Sequence, residues 1–226
     1  MNLKFTQSDK RSNKKQLDPK SKSYKKLLAK LFIDGMGFAK IKPDSIARIL
    51  IEEKIKSVFI GGTVVGCHSG QPRSTKDVDL IIPSDAKWKV SVSKICKLFK
   101  GSKVKKHPSF IEIYERTELG DTELVDIVNV PNGSYGLAFS NCIQISVNGV
   151  EVSIPTAEMM IVLKYTAAVN PIREKNKQRQ DWIDIYNIID GTKNISIYEI
   201  KILADSVVPG YGEDLFNKLR QYMAQG

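Results

Sequence analysis

Two aspartates, Asp77 and Asp79, stand at the head of the apolar run 78–82, and this constrains the chain more than any other feature of its sequence. The run has the length and β-branched composition of a core strand, and Pro83-Ser84 closes it. Alternate side chains of a strand share a face, so Asp77 and Asp79 point one way while Val78 and Leu80 point into the core. A DxD alone is often a surface turn with no ligand, but the apolar, β-branched flanks here argue against one. Two carboxylates held side by side repel, an arrangement that is costly unless a cation sits between them, and ligands that are all oxygen suit magnesium or manganese. A second short strand-like run, 57–60, precedes them and ends in Gly61-Gly62. Such a pair predicts a turn without side chains, where backbone amides can approach phosphate oxygens closely.

The rest of the chain alternates before it becomes helical. Apolar residues at helical spacing predict helices over 24–36 and 43–55, the second with Pro43 near its start, and a further helix over 84–100. Strand patterns follow at 110–114, 123–130 and 142–147, and Asn148-Gly149 predicts a hairpin turn into 150–154. From Pro155 onward the pattern is helical: Thr156 caps a helix to about 169, and others cover 181–189, 196–207 and 213–223. The expected architecture is α+β, a mixed β-sheet flanked by helices and followed by a C-terminal helical domain. The boundaries are a basic tail over 1–23, an α/β domain over 24–154 and a helical domain over 155–226.

Charge is unevenly placed. Residues 1–30 hold ten basic residues, nine lysines and Arg11, against Asp9 and Asp18 alone. The other 196 residues carry 25 basic and 23 acidic residues, so the body is nearly neutral and the pI of 9.4 reports on the front end. Such a segment is a solvated tail or a non-specific grip on nucleic-acid phosphates. With 42% hydrophobic residues among 226, the chain can bury an ordinary core. No apolar run approaches membrane-spanning length, and Cys67, Cys96 and Cys142 indicate neither a disulfide framework nor a zinc site, which together predict a cytoplasmic protein.

The ordered set Gly61-Gly62, fourteen intervening residues, then Asp77-Val78-Asp79-Leu80 resembles the signature of the polymerase-beta-type nucleotidyltransferase superfamily. Within it, GGT with PRSTKDVDLII is similar to the minimal bacterial branch that includes the AbiEii and MenT toxins of toxin-antitoxin systems. The resemblance implies a nucleotidyltransferase fold, an NTP substrate and a magnesium or manganese cofactor. It also implies a lysine on the first helix of the second domain and a downstream aspartate in a basic segment. Lys164 and Asp181 match those positions, although Gln180 stands where the family shows a basic residue, with Arg179 one place earlier. Asp184 is available as a partner for Lys164 or Arg179. For the third carboxylate that the superfamily carries, Asp126 is embedded between apolar residues of a later strand, and Glu112 is the reserve.

These parts define an expected mechanism. Asp77, Asp79 and Asp126 hold two metal ions, Gly61, Gly62 and Thr63 bind the triphosphate, and Arg73 and Lys164 add positive charge to phosphate oxygens. Positioning and charge stabilisation supply most of the catalysis. RNA, tRNA-like in kind, is the expected acceptor given the basic front end, with an antitoxin protein as a further partner and no membrane. A protein or small-molecule acceptor, and a non-catalytic nucleic-acid-binding protein, are the alternatives. Retained, mutually repelling carboxylates argue against the last, and a basic tail argues against a polycationic small molecule. His68, just past the glycine pair, is expected to be a polar surface residue of a loop.

Overall fold

The computed structural model describes residues 21–35, 43–73, 75, 77–83, 88–107, 110–118, 120–130 and 134–225. Most of the basic tail and the first residues of the helix expected from 84 lie outside this set. Helices α1 (Lys22–Gly35) and α2 (Pro43–Glu52) lead into strand β1 (Val58–Ile60). Strands β2 (Val78–Pro83), β3 (Lys103–Lys106), β4 (Phe110–Thr117) and β5 (Gly120–Val130) complete a five-stranded sheet in the order β1-β2-β5-β4-β3, with helix α4 (Trp88–Leu98) between β2 and β3. Among the described strands β2 and β5 alone run parallel, so the sheet is mixed, as expected.

Register gives the sheet two unlike faces. Val78, Leu80, Val125, Ile127, Ile111 and Ile113 line one face and are buried in the core. Their neighbours along each strand turn to the other face, where Asp79 pairs with Asp126 across β2 and β5. A one-residue slip would exchange the two sets and drive the carboxylates into the core, so burial of the aliphatic face locks the acidic one.

Three elements were not expected at all. The glycine pair does not close a simple turn: it begins helix α3 (Gly61–Ser69), which is buried from Gly62 to His68. A helix enclosed on every side has no polar face, so TVVGCHS carries no amphipathic period to read. Gly66 within it allows close passage of the following segment, since a Cβ there would lie 2.7 Å from the Arg73 amide nitrogen. Strand β3, with sequence KVKK, is exposed throughout and forms a lysine-bearing edge of the kind that resists strand addition. Helix α5 (Ser134–Ser140) was not foreseen either.

After α5, strands β6 (Cys142–Val147) and β7 (Val150–Pro155) form the expected ribbon, with positive φ at Asn148 (51°) and Gly149 (77°) as a two-residue hairpin turn requires. Helix α6 (Ala157–Ala168) follows, its first turn capped by Thr156, whose hydroxyl accepts from the Met159 amide. Helix α7 (Lys175–Gly191) starts six residues ahead of expectation because its opening KNKQRQ carries no apolar residue to mark a buried face. Its far end packs on α3: a Cβ on Gly191 would collide with the Ser69 carbonyl. Helices α8 (Ile197–Val207), capped by Ser196, and α9 (Tyr211–Ala224) complete the described chain. No helix among the described residues is long and apolar enough to cross a membrane.

His68 is 1% exposed, and so is not the surface loop residue expected. Its Nε2 lies 2.9 Å from the Pro155 carbonyl, which can only accept, so Nε2 carries the proton and Nδ1 accepts from the Tyr24 hydroxyl at 3.0 Å. Burial holds the ring neutral by drawing its pKa down to about 4. The residue pins α1, α3 and the β7–α6 junction together.

Candidate active site

The parallel register of β2 on β5 sets Asp79 directly beside Asp126, and Asp77, two residues before Asp79, joins them. One carboxylate oxygen from each of the three lies within 4.8 Å of the other two. Oδ1 of Asp126 is buried without a hydrogen-bond partner among the described residues. Three carboxylates this close, one with an orphaned oxygen, could hold a cation, and the all-oxygen set fits a hard ion such as magnesium or manganese. Thr75 orients the outermost member, its hydroxyl donating to Asp77 Oδ1.

Electrostatics follow from this crowding. Burial pushes Asp79 up to about 6, with the Asp77 charge adding to the rise and Lys164 and Arg73 opposing it. Burial also lifts Asp126 to about 7, reinforced by Asp79, Glu123, Asp77 and Glu112. Glu123 takes part because a bulge in β5, opposite Ile113 and Tyr114, pairs it with Tyr114 on the acidic face.

Gly61 makes room for this cluster. Its φ of 78° lies in the left-handed region, and a Cβ there would overlap Asp79 Oδ2 and stand 2.6 Å from its Cγ. Gly61→Ala is therefore expected to lower the melting temperature by about 5 °C or more and displace Asp79, from a combined backbone and steric cost of about 2 kcal/mol or more. Gly70→Ala supplies the backbone part alone, since Gly70 has φ 71° with nothing near its Cβ position. Equal melting temperatures for the two variants would deny the Asp79 contact.

Opposite the carboxylates stands a chain of alternating charges. Asp184, 0% exposed, lies 3.3 Å from Arg73 Nε and 2.8 Å from Lys164 Nζ. Asp181, one helical turn earlier on α7, lies 3.0 Å from Lys164 Nζ and 2.6 Å from Arg173 Nε. Gln180 donates to Asp184 at 3.0 Å. Three cations brought from the loop before β2, from α6 and from the α6–α7 turn are thus strung between two buried aspartates at i and i+3. Arg73 also covers the start of α3, since a Cβ at Gly62 would meet its Nη1. That helix begins without a side-chain cap, leaving its first amides and positive dipole end beside a guanidinium.

The structure therefore gathers Asp77, Asp79, Asp126, Gly61, Gly62, Arg73, Lys164 and Asp181 into one region, with Thr63 buried inside α3 behind it. Glu112 does not join the three converging oxygens; it lies one strand further on, bonded to His107 at 3.1 Å. Arg179 is exposed, and the basic partner of Asp181 is Arg173, which precedes the helix and shows no spacing signal. Asp184 proves to be the partner of Lys164 and Arg73, and not of Arg179. Tyr135 on α5 was also missed: burial raises its hydroxyl first, then Asp79, with Arg173 opposing, which sets it beside the same cleft.

No family model matches the chain, and no curated protein matches it. Solved structures of similar fold include an antigenic nucleotidyltransferase-like protein from Paracoccidioides brasiliensis, at 20% identity over 77% of this chain and 89% of that one, TM-score 0.48. The antibiotic-resistance factor ANT(2'')-Ia is similar at 15% identity over 80% and 94%, TM-score 0.48. The Megavirus polyadenylate synthase is similar at 13% identity over 81% of this chain and 40% of that one, TM-score 0.44.

Proposed function

We propose that this protein is a metal-dependent nucleotidyltransferase that moves a nucleoside monophosphate from an NTP to a hydroxyl acceptor, RNA in the first instance. The observation that carries the reading is the convergence of three carboxylates within 4.8 Å, one with an orphaned buried oxygen, opposite a preorganised set of cations. Asp77, Asp79 and Asp126 would hold the divalent ions, whose contribution when bound is to polarise the hydroxyl and neutralise the departing pyrophosphate. The site draws on both proposed domains, the carboxylates coming from 24–154 and Lys164 and Asp181 from 155–226.

The chain's own residues divide the remaining work. Amides at the start of α3 and the Arg73 guanidinium bind and orient the triphosphate. Lys164 adds a point charge that its two aspartate partners hold in place. In the transfer the acceptor oxygen bonds to the α-phosphorus, the bond to the bridging oxygen breaks, pyrophosphate leaves and the hydroxyl proton passes to solvent. An acceptor of RNA extends this reading through the basic residues 1–23. A toxin role paired with an antitoxin extends it through the sequence resemblance, and a co-encoded protein that silences transfer is its test.

Incubation with each α-labelled NTP, magnesium and total RNA should deposit label on RNA with one NTP preferred. Label on protein or on a small molecule would move the acceptor, and no label with any NTP or acceptor would remove the enzymatic reading.

A further inference from the structure

The acidic face of the sheet continues past the carboxylates. Asp79, Asp126, Glu112 and Lys105 are register partners from β2 through β5 and β4 to β3, so they form a single row on one face. At the usual strand spacing, β4 lies about 5 Å and β3 about 10 Å from the strand that carries Asp126. Along β4 the same face presents Phe110, Glu112 and Tyr114 at alternate positions, all half-buried. Along β3 it presents Lys103 opposite Tyr114 and Lys105 opposite Glu112, both exposed. The lysines belong to the segment 97–107, which holds five lysines and no acidic residue, a concentration of charge in a body otherwise nearly neutral.

Two aromatic rings flanking a carboxylate on one strand, with lysines on the adjoining edge, suit one kind of ligand. A single strand of nucleic acid has bases that stack on aromatic faces and phosphates that seek a basic track, and neither contact needs sequence-specific readout. The edge position explains lysines on β3, as protection against strand pairing, and one face of the Phe110 ring stacks on His107 with centroids 4.0 Å apart, but neither explains Tyr114 on the same face of β4. Glu112 is engaged by His107 at 3.1 Å, with Lys105 Nζ 3.9 Å away, so its charge is countered within the row.

We propose that the face formed by β4 and β3 is the acceptor platform of the protein, on which the terminal nucleotides of a single-stranded RNA lie with bases on Phe110 and Tyr114 and phosphates on Lys103 and Lys105. The strand end then reaches Asp126, one strand away. This rests on the nucleotidyltransferase reading for its purpose, but the surface can be tested without catalysis.

The test is fluorescence anisotropy of the full chain with a short 5′-labelled single-stranded oligoribonucleotide, without NTP, across a potassium chloride series. The Lys103→Glu/Lys105→Glu variant should bind about tenfold more weakly and lose about two contacts' worth of salt slope. Tyr114→Leu should weaken binding by about fivefold or more with the salt slope unchanged, and Tyr114→Phe should restore it. Lys105→Glu alone should bind about threefold more weakly, whereas Lys106→Glu, the same charge change on the opposite face of β3, should cost about twofold at most, by long-range attraction alone. Equal losses from Lys106→Glu and Lys105→Glu would overturn the platform, as would wild-type affinity in the double variant or Tyr114→Leu indistinguishable from wild type. Tighter binding of a blunt duplex than of the single strand would overturn it too. If RNA binds as described and no NTP is transferred, the enzymatic reading fails and the platform stands. If label moves to another acceptor and RNA binding is unaffected by these variants, the platform alone fails.

Discussion

Asp79→Asn should abolish nucleotide transfer while making the metal-free protein more stable at neutral pH. Loss of one ligand from the carboxylate cluster removes several kcal/mol of transition-state stabilisation, so the rate should fall by about three orders of magnitude or more. The gain in stability comes from linkage. The folded-state values of about 6 for Asp79 and about 7 for Asp126 lie above their unfolded values near 4, so the native state holds protons that the unfolded chain has released. The stability these two carboxyls contribute is therefore fully present below about pH 4 and is lost as pH rises through 6 to 7. Asparagine at 79 removes the buried charge, and the melting temperature at pH 8 should rise by about 5 °C, from a penalty of about 2 kcal/mol at some 2–4 °C per kcal/mol. Near pH 4 the two proteins should melt together. Magnesium should raise the melting temperature of the wild type at pH 8 and leave that of the variant nearly unmoved. Retained transfer by Asp79→Asn, or a variant less stable than wild type at pH 8 without metal, would contradict the metal-cluster reading.

The second large effect should come from the acids that hold the cations. Asp184 is fully buried and contacts both Arg73 and Lys164, so Asp184→Ala would leave two charges in a partly dry cleft with a counter-ion gone. A loss of about 3–5 kcal/mol is expected, lowering the melting temperature by about 10 °C. Asp184→Asn keeps the volume and separates positioning from collapse. With the cluster one charge more positive, the KM for NTP should be unchanged or lower, while kcat falls by about 10²-fold because Arg73 and Lys164 are no longer fixed. Lys164→Ala should do the reverse in KM, raising the nucleotide requirement as well as slowing transfer. Kinetics measured well below each melting temperature decide between these. A rise in KM for Asp184→Asn as large as that for Lys164→Ala would make Asp184 part of the binding surface rather than its support.

Local rules were sufficient wherever the signal has a short period. Asp77 and Asp79 could be placed on one face because a strand repeats every two residues and their neighbours are aliphatic. Asp126 could be chosen because an acid amid Leu124, Val125, Ile127 and Val128 has few reasons to be there. The Asn148-Gly149 turn and the Thr156 and Ser196 caps follow from backbone chemistry that needs no tertiary partner. The same rules missed α3, because a helix buried on all sides shows no amphipathic period, and they shortened α7, because its first turns face only solvent.

What sequence by itself determined is thus the set of chemical groups and the face on which each strand presents them. Tertiary structure alone decided which groups meet. The parallel pairing of β2 with β5 set Asp79 against Asp126, and that register is imposed by burial of the opposite, aliphatic face. Folding also gave Gly61 its task, since only the fold brings Asp79 to its α-carbon, and it assigned Arg173 rather than Arg179 to Asp181 and Asp184 to Lys164 and Arg73. Buried charges must find partners within about 4 Å, and which partners lie within that reach depends on packing between elements far apart in the chain.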